Sequence, residues 1–184
     1  KVDIDKEIDR HYDSFWLGLD TRTQEAFAEL LHYLGKDEVR IQIELDASRD
    51  ANRICVALQD HPGIFSRIAG ALAFNLANIV DARTFTSKDG FATAVFWIQG
   101  PQNNPFSQDK FEKIKQTIDL SLKGKLIPKK EFEQIEKFKK TEKDFIVPTS
   151  ITFDNLGSEI YSIIEVDTRD RIGLIYDLTR TLSY

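Results

Sequence analysis

Methionine is absent from the 184-residue sequence, and cysteine occurs once, at Cys55. A lone cysteine forms no internal disulfide, which suits a reducing cytoplasm. A chain of this size buries about 70% of its unfolded surface and needs no covalent or metal staple. The missing methionine, initiator included, points to a segment of a longer protein or to modified methionines omitted from the written sequence, in which case some spacings are short by a residue. No apolar run reaches the ~20 residues of a membrane span, the longest being broken by Asn75, Asn78 and Asp81. The start, Lys1-Val-Asp-Ile-Asp-Lys6, lacks the apolar core of a signal peptide. Basic charge is in deficit, with 25 Lys and Arg against 30 Asp and Glu for a net −5, which argues against general nucleic-acid binding. Length alone allows one domain or two small ones, at roughly 100–200 residues each.

What the sequence does hold is amphipathic pattern. Residues 1–36 read as helical, with Phe15, Trp16 and Leu19, then Phe27, Leu30, Leu31 and Leu34 at helical spacing and Gly35 as the stop. Val39, Ile41, Ile43 and Leu45, then Ile54, Val56 and Leu58, alternate with polar residues, and the turn-rich 46–52 between them predicts a β-hairpin. Asp60-His-Pro-Gly63 ends the second strand, and Pro62, with no N–H to leave unpaired, suits the first turn of a helix. Ile64, Ile68, Leu72, Phe65, Ala69 and Leu76 give that helix a broad apolar face, ending at 75–78. Strands are expected at 79–86 and 91–99, joined through Asp89-Gly90, a strong hairpin signal. After a Pro-, Gln- and Asn-rich loop, Phe111, Ile114, Ile118 and Leu122 mark a second amphipathic helix. Residues 123–148 mix Lys and Glu as a solvated helix or linker, and strand signals return at 151–153 and 160–166. Cys55, Trp16 and Trp97 fall in apolar patterns and are expected in the core.

The chain repeats itself at an offset of 110 residues: Ile54, Val56, Asp60, Gly63 and Leu72 are matched identically by Ile164, Val166, Asp170, Gly173 and Leu182. The apolar positions Ile64, Phe65 and Ile68 are matched by Leu174, Ile175 and Leu178. Asp and Gly are common turn residues, but five identities at one offset within one apolar pattern favour a true repeat of strand, Asp-x-x-Gly turn and helix. The second copy stops at Tyr184, inside its first helix, and a strand and a helix alone cannot bury both apolar faces.

These residues resemble the ACT domain, a small βαββαβ ligand-sensing module. His61-Pro-Gly-Ile-Phe-Ser-Arg-Ile-Ala-Gly-Ala-Leu72, Ala77-Asn-Ile-Val-Asp-Ala-Arg83, Thr86-Ser-Lys-Asp-Gly90 and Phe96-Trp-Ile-Gln99 resemble the first ACT domain of the bacterial PII uridylyltransferase/uridylyl-removing enzymes. Phe153 to Tyr161 and Ile164 to Leu178 resemble the second, with Ile172 where that family usually has proline; His11-Tyr-Asp-Ser-Phe-Trp16 is similar to the tail of its HD domain. The resemblance implies an α+β, ferredoxin-like fold with an antiparallel sheet. The expected organisation is a helical HD-domain tail over 1–36, a first ACT domain with its preceding hairpin strand over 37–127, a charged linker or helix over 128–148, and an incomplete second ACT domain over 149–184. Either Val39–Leu45 or Ser150–Phe153 is available as the fourth strand of the first unit.

The resemblance also implies a cytoplasmic, bifunctional parent enzyme that adds UMP to the PII nitrogen-regulatory protein and removes it, with Mg and UTP serving the parent and no cofactor in these residues. An HD site needs an adjacent His-Asp pair, yet His11, His32 and His61 are followed by Tyr, Tyr and Pro. Nucleotidyl transfer needs Gly-Ser and two aspartates one residue apart to hold two metal ions; Gly157-Ser158 with Asp167 and Asp170 has the wrong spacing. Both active sites are therefore expected elsewhere.

The Asp60–Gly63 turn suits a small amino acid, glutamine by the resemblance. Backbone N–H groups at a helix start attract a carboxylate, Gly63 permits close approach, Asp60 would pair with an ammonium group, and Asn78 would bind an amide. The candidate ligand-binding set is Asp60, His61, Gly63, Ile64 and Asn78, with Asp170, Arg171, Gly173 and Leu174 in the second copy. The plainer alternative makes Asp60 an N-cap, Asn78 a turn residue and His61 a loop residue. Competing functions are a structural or oligomerisation module that binds nothing small, with homo-oligomers formed through ACT sheets or helices, and a freestanding ACT-repeat protein. No nucleic acid or membrane partner is expected.

Overall fold

The computed structural model describes residues 3–126 and 148–183. The charged stretch read as a linker or helix therefore lies, apart from its ends, outside the described residues. The chain divides into two compact units, Lys1–Pro128 with Ile172–Tyr184, and Lys129–Arg171.

The first unit opens with α1 (Ile4–Arg10), α2 (Asp13–Gly18) and α3 (Thr21–Leu31). The single helical run expected over 1–36 is thus three short helices. Extended backbone at His11-Tyr12 and Leu19-Asp20 separates them, and Asp3 and Asp20 accept hydrogen bonds from the Lys6 and Thr23 N–H groups as N-caps of α1 and α3. Strands β1 (Val39–Asp46) and β2 (Ala51–Gln59) form the expected hairpin. Helix α4 (Ile64–Phe74), β3 (Asn78–Thr86), β4 (Phe91–Gln99), a 3-10 turn at Gln108–Lys110 and α5 (Phe111–Leu122) follow.

The four strands form an antiparallel sheet in the order β1-β2-β4-β3. The fold is α+β and consistent with the ferredoxin-like ACT plan. The edge beside β2, which the last strand of a βαββαβ module occupies, is filled here by the preceding strand β1. Of the two candidates for the fourth strand, Val39–Leu45 is the one used.

Strands β2 and β4 are buried along almost their whole length. Side chains alternate across a strand, so each strand serves two cores. Ile54, Val56, Leu58, Ala94, Phe96 and Ile98 face Ile64, Ile68 and Leu72 of α4 and Ile114, Ile118 and Leu122 of α5. Cys55, Val95 and Trp97 pack with Phe15, Leu19 and Phe27, and Ala57 packs with Leu31 and Leu34. Each fully buried side chain of this size contributes roughly 1.5–3 kcal/mol. Cys55 is buried as expected, and burial pushes its thiol pKa up to about 12. Trp97 is buried and Trp16 packs against the same cluster.

Residues 172–184 contribute α6 (Leu174–Leu182), whose Ile175 and Tyr176 pack against the α4/α5 core. The second unit holds β5 (Ser150–Asp154) and β6 (Ile163–Asp167), an antiparallel pair. The expected start of β6 at residue 160 is overrun by a turn in which Ser158 Oγ accepts the Ile160 and Tyr161 N–H groups. Arg40 lies opposite Ala57 in the first hairpin, and Ser150 lies opposite Asp167 in the second, the same register shifted by 110 residues. The repeat seen in sequence from Ile54 onward therefore extends upstream to include the hairpin strand.

Candidate functional site

Asp60 and His61 leave the end of β2, and Pro62 and Gly63 turn into α4. Helix α4 begins at Ile64 with Gly63 as its N-cap, so Pro62 stands outside the helix, not in its first turn as expected. Gly63 has φ 83° and ψ 5°, a left-handed conformation that costs a side-chain-bearing residue about 1–2 kcal/mol. A Cβ there would meet only Ser66 Oγ at 3.9 Å and Arg67 Nε at 4.0 Å, so the glycine is demanded by backbone conformation and not by crowding. Gly63 provides no side-chain cap, while its carbonyl accepts from the Arg67 N–H at 3.0 Å and from Ser66 Oγ at 3.0 Å. Ile64 is buried in the α4/α5 core and sets the height of the helix start over the sheet.

Asp60 is exposed and is not the N-cap. Its N–H donates to the Gly90 carbonyl at 2.9 Å, and its Oδ2 accepts from Thr86 Oγ1 at 2.9 Å. The turn is therefore held to both ends of the β3–β4 connection, a pairing across 26 residues that no local sequence signal reveals. His61 is exposed, with Nδ1 3.1 Å from the Pro62 carbonyl, and behaves as a loop residue. Asn78 does not join this group. It begins β3, opposite Gln99, whereas Thr86 ends the strand; eight residue steps at ~3.3 Å put Asn78 roughly 26 Å from Thr86, which is bonded to Asp60. The expectation that Asn78 and Asp60 serve one ligand within one ACT unit is thus corrected, because α4 and β3 place them at opposite ends of the sheet.

In the second copy Gly173 repeats the conformation, with φ 85° and ψ −3°, as the N-cap of α6 without a side-chain cap, and its carbonyl accepts from the Asp177 N–H at 3.0 Å. Leu174 opens α6 and is half-buried. Asp170 and Arg171 are exposed and close the hairpin unit.

His11 is buried and stacks on Phe15 with ring centroids 3.7 Å apart, and His32 follows α3. Gly157 lies in the β5–β6 connection, where its N–H donates to Asp154 Oδ1 at 3.0 Å. Among the described residues no three His, Cys, Asp or Glu side chains gather as a metal-binding group, and no helix is long and apolar enough to cross a membrane.

No protein-family model matches the chain. Curated relatives do. The chain is 52% identical over 98% of its length to the bifunctional uridylyltransferase/uridylyl-removing enzyme of Cereibacter sphaeroides, 48% identical to that of Ruegeria pomeroyi over 98%, and 36% identical to that of Gluconobacter oxydans over 98%. In each case it spans 20% of the relative's own length. By sequence, then, the chain is a relative of the bifunctional uridylyltransferase/uridylyl-removing enzymes, matched over nearly all of its own length to one-fifth of theirs.

Proposed function

We propose that these residues form an effector-sensing regulatory region of a cytoplasmic enzyme that uridylylates and deuridylylates the PII protein, with glutamine as the effector. The observation that carries this reading is the duplicated strand, turn and helix, with a left-handed glycine at the start of α4 and again at the start of α6, in a chain 52% identical to such an enzyme. Neither helix start is capped by a side chain, and at α4 the positive end of the helix dipole suits an amino-acid carboxylate. Thr86 engages only Oδ2 of Asp60, which keeps that carboxylate suited to an ammonium group. His61, Asp170, Arg171 and Leu174 flank the two turns. On this reading the transfer and removal reactions, with their UTP and Mg, belong to other domains of the enzyme, and glutamine acts by shifting a population of conformations.

A ligand that binds only the folded state raises stability by RT ln(1 + [L]/Kd). Millimolar glutamine, with or without ATP, should therefore raise the thermal midpoint of the full-length enzyme, and no shift under either condition would overturn the glutamine reading. Exposed Ile151 and Phe153 on β5 favour a second reading, a module that pairs with another chain and binds nothing small. Mass in solution separates the two, since a purely structural oligomer is indifferent to glutamine.

A further inference from the structure

The β3–β4 turn that holds Asp60 is also bolted to the N-terminal helices. Asp89 Oδ1 accepts from Ser87 Oγ at 2.6 Å, while Asp89 Oδ2 accepts from Arg10 Nε at 3.0 Å and Nη2 at 2.8 Å. The neighbouring Lys88 donates its N–H to the Arg10 carbonyl at 2.8 Å and its ammonium to the Asp9 carbonyl at 2.9 Å, satisfying the C-terminal end of α1. Arg10 is itself buried, and its Nη1 donates to Glu7 Oε1 at 2.8 Å. One short turn therefore has two sets of contacts. Thr86 and Gly90 grip Asp60, and Lys88 and Asp89 grip α1.

We infer that the Thr86–Gly90 turn couples the Asp60–Gly63 turn to α1, with the Asp89–Arg10 pair as the joint. Two observations make α1 responsive and not merely attached. Its last turn is held to the sheet unit by directional bonds to a surface turn, which break when that turn shifts by about an ångström. Its seat is also imperfect: Glu7 Oε2 is buried without a hydrogen bond, with His11 Nε2 3.7 Å away, so seating carries an uncompensated cost that leaves the seated and released states closer in free energy. Where the Asp60 turn is the effector site, this route carries its occupancy to the helices that precede the sheet; in that respect the inference rests on the function proposed above.

A double-mutant cycle isolates the coupling without any ligand. Hydrogen exchange of residues 4–10 is followed by peptide-resolved mass spectrometry in the full-length protein. Thr86→Val, which removes only the bond to Asp60, should speed exchange in α1 about threefold or more when Asp89 is present, and should add nothing in an Asp89→Asn background. Lys88→Ala, which loses one bond to α1 and leaves the Arg10 pair, repeats the cycle with the helix still seated and should give a partial reduction. Independent, multiplicative effects in both cycles, or no effect of Thr86→Val on α1, would overturn the inference. In a parallel arm glutamine should alter α1 exchange in the wild type and not in Asp89→Asn, while its heat of binding persists in both. Absence of that heat in the wild type sinks the glutamine reading alone, because the mutant cycle still decides the coupling.

Discussion

The two faces of the sheet are held by different chemistry. The α4/α5 face is an apolar cluster in which Ile54, Val56, Phe96 and Ile98 meet Ile68, Leu72, Ile114 and Ile118. The opposite face has apolar contacts too, but it is laced with arginines that reach backbone oxygens. Arg40 donates to the carbonyls of Leu30, His32 and Tyr33, and Arg83 donates to the Gly18 carbonyl. Arg53 donates to Thr23 Oγ1 and Glu44, and Arg10 to Asp89 and Glu7. Apolar burial is non-directional and scales with area, whereas a guanidinium fork demands one geometry. The α4/α5 face thus rests mainly on apolar burial, with a single guanidinium bond from Arg67 to the Leu122 carbonyl, and the α1–α3 face adds to its own apolar core several directional bonds that can be undone separately.

That contrast is open to direct attack. The largest expected effect is from Phe96→Ala, a cavity in the α4/α5 core that should cost about 3–5 kcal/mol and lower the denaturation midpoint of the whole unit in one transition. Phe27→Ala opens a matching cavity on the other face, yet should cost less, because the helices can release while the α4/α5 core survives. Its mark is Cys55, which lies on that face. Labelling by a thiol reagent should accelerate at least tenfold, equivalent to about 1.4 kcal/mol of easier opening, while β2 amides keep their protection. Equal loss of protection on both faces would mean that the two faces open together. Gly63→Ala should follow at about 1–2 kcal/mol, set by its left-handed backbone, and Gly173→Ala should match it only if α6 is as firmly seated.

Acid gives the gentlest test. Burial works against the charged forms of Asp20, Asp46 and Asp89, but hydrogen bonds outweigh it and hold all three below the usual carboxylate pKa: from Thr23 to Asp20, from Ser48 and Trp97 to Asp46, and from Ser87 and Arg10 to Asp89. A carboxylate depressed in the folded state contributes stability that is present at neutral pH and lost as pH falls below about 4, through the depressed value. All three anchor the α1–α3 side or the Trp97 edge. Fluorescence from Trp16 and Trp97 should therefore change at a higher pH than the far-ultraviolet circular dichroism, and coincident transitions would contradict this.

Strand β4 at Phe91–Gln99 and helix α5 at Phe111–Leu122 coincide with the residues expected from pattern, because the Asp89-Gly90 turn and the helical spacing each carry their own local reason. The break between α2 and α3 is carried by Asp20, whose capping role is easily lost in a charged, helix-favouring stretch, and the break between α1 and α2, at Tyr12, has no side-chain cap to announce it. The left-handed Gly63 and Gly173 are legible as a repeated glycine, while the positive φ that each adopts is a requirement only the structure shows. The bonds from Asp60 to Thr86 and from Arg10 to Asp89 were not visible at all. Their partners stand 26 and 79 residues apart: antiparallel pairing brings the β3–β4 turn beside the end of β2, and the packing of α1 on the sheet unit brings Arg10 to the same turn. Asn78, expected at the end of the helix that follows the Asp60 turn, instead begins β3, at the other end of that strand from Thr86.

The shared register of the two hairpins has a consequence for synthesis. Each repeat carries its edge strand ahead of itself, so β1 is already waiting when β2, β3 and β4 leave the ribosome. Had Ser150–Asp154 been the closing strand, the first sheet would have stayed open, with the β2 edge unpaired, until a whole further segment was made. Unpaired edges invite pairing with other chains, and domains made early in translation fold as units. With its edge strand in front, the first repeat can close its sheet once Gln99 is free and complete its α4/α5 core once Leu122 follows, before the hairpin of the second repeat exists to compete for the same edge.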